Sequence, residues 1–188
     1  MKYKFILILI ILIYYEARSQ DKIDQLYFNI SYFGILGTHP GIKLGVQYPL
    51  VTFNKSEPST QLHQMIGSPN VIFYFHRRNQ LGIGFNIELG YKNKQETKIN
   101  KEMMLGIGYL RTFIPNKVYE FSNGNFLNNN SLIGSNHFIK TLSLGIGKNI
   151  NDGIHSDFWM IKPTLLHLKP YNTKTSLNFA LDVGYQFK

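Results

Sequence analysis

Six histidines, His39, His63, His76, His137, His155 and His167, are the side chains of this chain best suited to proton transfer or metal binding at neutral pH. Their spacing favours neither. No two of them stand at the separations that place a pair of ligands on one metal ion. Hydrolysis through a hydroxyl needs a Ser activated by a His that an acidic residue holds. His155, Ser156 and Asp157 are consecutive, and neighbours in a strand point to opposite faces. No His-x-Ser pair puts both groups on one face. The chain has no Cys, which removes thiol chemistry, disulfide scaffolds and lipid attachment to a Cys. The residues therefore predict no catalytic site, no metal and no cofactor, and the chain is expected not to be an enzyme.

A glycine repeat offers the other route to chemistry. Leu81-Gly82-Ile83-Gly84-Phe85 recurs as Leu105-Gly106-Ile107-Gly108-Tyr109 and as Leu144-Gly145-Ile146-Gly147-Lys148. A dinucleotide fingerprint needs a third Gly and a following helix. The third Gly is missing from every copy, and no helical pattern follows. The repeat must serve the elements that carry it.

The first nineteen residues read as a cleaved signal peptide. Lys2 and Lys4 precede the apolar run 5–15, and Ala17-Arg18-Ser19 supplies a small-x-small cleavage site. The run is shorter than the roughly 20 residues that span a bilayer. Residues 20–188 form one domain. The chain is basic, with a formal net charge of +9. Export argues against nucleic acid as its partner, and anionic lipid or lipopolysaccharide phosphate suits an exported cation better.

Apolar and small or polar residues alternate through 41–48, 81–92, 102–110, 138–147 and 177–188. Period two over such lengths specifies strands. Less regular strands fall near 26–36, 70–78 and 157–168, with a bulge expected at Pro163. Turn residues separate them, and 115–136 is the longest loop. The reading is eight antiparallel up-and-down strands, many of them longer than the typical soluble strand of about 5–6 residues. The stretch 52–69 is too long for a usual periplasmic turn.

One face of these strands is almost wholly apolar and the other is Gly, Ser, Thr, Asn and a few charges. A soluble barrel would bury the first face, while a membrane barrel turns it to lipid. Leu81, Ile83 and Phe85 are then lipid-facing, and Gly82 and Gly84 relieve crowding in a narrow lumen. Lys43, His76, Glu88, Lys162 and Asp182 are expected to form a polar network in that lumen. Arg77, Arg78, Lys169 and Lys174 fall at the external rim, where they would contact lipopolysaccharide phosphates.

The last residues, Asp182-Val183-Gly184-Tyr185-Gln186-Phe187-Lys188, resemble the terminal strand of Gram-negative outer-membrane β-barrel proteins. Phe187 is penultimate here, where the family places an aromatic at or next to the end. The chain looks most like the small eight-stranded barrels of the OmpA/OmpX-like type. His39–Tyr48 and Gly108–Phe113 look like stretches of uncharacterised members of that group. The resemblance implies export to the outer membrane, chaperone-assisted insertion and a monomeric barrel, and the function expected is a structural or surface-interaction role without catalysis. The resemblance also implies recognition of Gly184, Tyr185 and Phe187 by the outer-membrane assembly machinery. The alternatives are a lipid A-modifying outer-membrane enzyme and a soluble periplasmic ligand-binding barrel.

Overall fold

The computed structural model describes residues 26–35, 39–53, 61–76, 80–95, 99–113, 118–122, 125–129, 134–150, 157–171 and 174–188. The leader at 1–19 and the His155-Ser156 pair lie outside the described residues. The strands are β1 (Tyr27–Ile35), β2 (Gly41–Phe53), β3 (Gln61–His76), β4 (Gln80–Gln95), β5 (Ile99–Phe113), β6 (Val118–Ser122), β7 (Asn125–Asn129), β8 (Gly134–Asn149), β9 (Phe158–Tyr171) and β10 (Lys174–Phe187). Eight of them close a barrel in the order β1-β10-β9-β8-β5-β4-β3-β2, and β6 pairs only with β7. Every pairing is antiparallel, and the seam between β1 and β10 runs from Phe28↔Phe187 to Ile35↔Ala180. Closure leaves no sheet edge with unpaired backbone, the condition for a sheet to sit in hydrocarbon.

Three sequence expectations change. First, β2 runs on to Phe53 and β3 begins at Gln61, so the long segment 52–69 contracts to a connection at 54–60. Second, the 115–136 loop carries the β6–β7 hairpin. Third, there is no bulge at Pro163. The β9–β10 register passes through it unbroken. The β8–β9 ladder keeps its register but has no pairs between Ser143↔Thr164 and Ile146↔Ile161. Proline has no N–H to donate, so the ladder lapses beside it without adding a residue. Pro69 does the same between Gly45↔Asn70 and Tyr48↔Gly67. The true register shifts lie between Pro49 and Val51 and between Lys174 and Ser176.

The outer wall is apolar. Leu89, Leu105, Ile107, Leu144 and Phe179 all point away from the barrel, and Leu105 and Ile107 are each 59% exposed. Water-soluble monomers rarely leave apolar patches larger than a few hundred Å², so this wall rules out the soluble reading. Among the described residues no helix is long and apolar enough to cross a membrane; the strands do the crossing.

The lumen is filled in two layers. The half near the termini and the middle is polar. The half away from the termini is an apolar cluster that includes Phe33, Ile72, Tyr74, Leu110, Ile139 and Leu166. That layer differs from the expected lumen of small and polar residues. It also explains why three strands read poorly. In β1, β3 and β9 apolar residues face both lipid and lumen, which erases the alternation.

Candidate functional site

The polar layer centres on one chain of buried ion pairs. Strand alternation turns Lys43, Glu88, Lys92, Glu102, Lys162 and Asp182 inward from β2, β4, β5, β9 and β10. Lys43 Nζ donates to Glu88 Oε1 at 2.9 Å and to Asp182 Oδ2 at 3.2 Å. Lys162 Nζ stands 3.4 Å from Glu88 Oε2 and 3.2 Å from Glu102 Oε1. Glu102 Oε2 is 3.8 Å from Lys92 Nζ, which in turn donates to Gln186 Oε1 at 2.6 Å. Asn86 and Gln47 donate to the carboxylates of Glu88 and Glu102. Each carboxylate thus bridges or caps cations that, except for the Lys92–Glu102 pair, come from across the lumen and not from an adjacent strand, and such pairing makes buried charge tolerable.

The structure brings together four of the five residues expected here: Lys43, Glu88, Lys162 and Asp182. It does not bring His76 to them. His76 lies at the far end of β3, its ring 4.4 Å from that of His39. Sequence reasoning missed Lys92, Glu102, Gln47 and Gln186. Lys92 and Glu102 do stand on the polar parity of their strands, opposite each other in the β4–β5 register, and that parity was the usable signal. Below the network, Lys94 Nζ sits over the Tyr27 ring at 3.8 Å and Lys92 Nζ over Phe158 at 4.1 Å. Aromatic faces accept cations in this way.

The glycine repeat is explained by what faces it. A Cβ at Gly106 would meet Thr141 Oγ1 and Glu88 Cγ. One at Gly145 would meet Glu102 Cγ, and one at Gly82 would meet the Tyr74 ring. The missing side chains are the space that the network and the apolar layer occupy.

At the end of the barrel away from the termini, Thr112 Oγ1 and His137 Nε2 are 3.1 Å apart and buried. Thr112 Oγ1 also donates to the Ser135 carbonyl oxygen at 3.3 Å, and which of Thr112 and His137 donates to the other depends on the imidazole tautomer. The pair joins β5 to β8 over a separation of 25 residues, which no within-strand spacing could reveal. Nearby, His39 exchanges backbone hydrogen bonds with Ile35, both at 3.1 Å. Burial, and then the adjacent His76, hold the His39 imidazole below its usual value. Among the described residues no group of three or more His, Cys, Asp or Glu could hold a metal.

Of the four rim cations, Arg77 and Arg78 lie outside the described residues, and of Lys174 only the backbone is described. Lys169 is exposed on the outward face of β9, across from Phe138. In the terminal strand, Gly184 faces Ser31 across the seam. Tyr185 donates its hydroxyl proton to Asp157 Oδ2 at 2.8 Å. Phe187 stacks on Phe28 with ring centroids 5.9 Å apart.

No family model matches the sequence, and no curated protein matches it. Among solved structures, the chain is similar to the crystal structure of the outer membrane enzyme PagL. The identity is 11%, the TM-score is 0.48, and the match covers 87% of this chain and 98% of that one. The protein is an eight-stranded antiparallel β-barrel with an apolar outer wall. The comparison also corrects one expectation. The chain was expected not to be an enzyme, and the solved barrel it matches is one. The absence of a within-strand His–Ser pair was too narrow a ground, because residues on adjacent strands also meet.

Proposed function

We propose that this protein works at the outer leaflet of the outer membrane by contacting lipopolysaccharide. The carrying observation is the filled lumen. An ion-paired layer and an apolar layer stacked in an eight-stranded barrel leave the outer wall and the external face as the surfaces that can meet a partner. The basic residues Arg77, Arg78, Lys169 and Lys174 suit phosphate groups at that face. On this reading the barrel is a monomer, and Gly184, Tyr185 and Phe187 belong to the segment that the assembly machinery recognises. The test is lipopolysaccharide binding by the folded protein in phosphatidylcholine vesicles. Binding above that of an unrelated barrel of equal size supports the reading, and equal retention removes it.

A second reading, modification of lipid A, is favoured by the Thr112–His137 pair. A hydroxyl within hydrogen-bond reach of an imidazole is the arrangement from which a nucleophile is activated. Mass spectra of lipid A from cells with the protein, without it and with Thr112→Val test this. Identical spectra from all three would end the reading.

A further inference from the structure

Among the described residues the outward-facing Lys and Arg of the wall all lie on β5, β8 and β9, with Lys101 and Lys148 toward the termini and the rest toward the other end. Arg111 of β5, Lys140 of β8, and His167 and Lys169 of β9 all point outward, away from the lumen. These three strands are neighbours in the barrel. Lys140 stands directly across from His167, and Lys169 across from Phe138. Arg111 is across from Asn136 on the same side of β8, and its guanidinium lies over the Phe113 ring at 5.2 Å. On the other strands the described outward residues toward this end are uncharged, among them Tyr32, Ile42, Phe73, Phe75, Ile83 and Leu177.

No carboxylate among the described side chains answers these basic groups. Among the described side chains Glu88, Glu102 and Asp182 face the lumen, and Asp157 bonds Tyr185 at the opposite end. Lys140 is the most exacting member. It lies inside the level of Phe138, with Leu142, Leu144 and Ile146 continuing the lipid-facing row beyond it. A lysine on the lipid face is costly unless its stem carries the ammonium up to a polar layer. Its length suits that path, Lys169 nearby adds a second cation, and the His167 ring across from Lys140 adds a polar N–H group. The geometry points to a binding site for the phosphate groups of lipid A, held from the side by Arg111, Lys140, His167 and Lys169 at the level of the outer-leaflet headgroups. The site lies on the wall, takes Lys169 from the set expected at the rim, and rests on the proposal that the protein contacts lipopolysaccharide.

The experiment follows the thermal midpoint of the heat-dependent shift in gel mobility. The full chain is folded in phosphatidylcholine vesicles with and without bisphosphorylated lipid A. Wild type is expected to gain several degrees from lipid A, and less from its dephosphorylated form. Arg111→Gln/Lys140→Gln/Lys169→Gln is expected to lose that gain. Arg77→Gln/Arg78→Gln/Lys174→Gln, which alters the rim alone, is expected to keep it. Lys140→Gln by itself should reduce the gain and Lys140→Arg restore it, which guards against a triple variant that folds poorly. A wall variant that keeps the full gain while the rim variant loses it would overturn the wall site and leave the lipopolysaccharide reading standing. No gain in wild type would remove both.

Discussion

At the scale of single residues, the two faces of one strand answer to different solvents. Glu88 is wholly buried and accepts from both Lys43 and Lys162. Glu88→Gln keeps the shape and leaves two buried cations short of their anion. Breaking such a pair costs about 3–5 kcal/mol, and the loss should appear as a lower urea midpoint for unfolding from vesicles. Gly145 and Leu144 are adjacent but opposite. Gly145→Val pushes into Glu102, and overpacking of this kind costs about 1–3 kcal/mol. Leu144→Val only exchanges one lipid contact for a smaller one, and its midpoint should shift far less. Equal shifts for both variants would contradict the assignment of faces.

At the scale of elements, the end of the barrel that carries His39 and His76 is expected to respond to pH. Burial and the neighbouring His76 lower the His39 value, so the folded state favours the neutral ring. The unfolded chain then binds more protons between the lowered value and the ordinary one near 6.5. The stability from the neutral ring is complete above that range and declines as pH falls through it. The thermal midpoint should therefore drop between about pH 7.5 and pH 5, and His39→Gln should remove part of the drop. A wild-type midpoint that rises on acidification would contradict the sign. Two strands, β9 and β3, show what proline does in a closed sheet. Pro163 and Pro69 interrupt one ladder each and leave the register intact, because the opposite ladder fixes the strand.

At the scale of the whole molecule, the lumen is a core with two compositions. Polar packing below and apolar packing above together fill it, so planar bilayers containing the protein should show no discrete conductance steps. Removing the upper layer with Phe33→Ala and Leu110→Ala should lower stability before it opens any path, since the ion-paired layer lies beneath. Steady wild-type channels would contradict the filled lumen.

The chain declared its fold where one face is apolar and the other small or polar. In 81–92 Ile83, Phe85, Ile87 and Leu89 face lipid while Gly82, Gly84, Asn86 and Glu88 face inward, and that pattern specifies strand and orientation together. It was less readable in β1, β3 and β9, where Phe33, Ile72 and Leu166 put apolar side chains inward as well. Parity also placed Lys43, Glu88, Lys162 and Asp182 in the lumen, because side-chain direction in a strand has period two. Partner choice lay beyond parity. That Glu88 bridges Lys43 and Lys162, that Thr112 reaches His137, and that His76 meets His39 instead of the ions depend on the register between strands and on the height of each residue in the barrel. Those quantities come from closure of the sheet, which joins residues as distant as Lys43 and Asp182, 139 positions apart. Local pattern determines which way each side chain points. Only the closed barrel determines what it finds there.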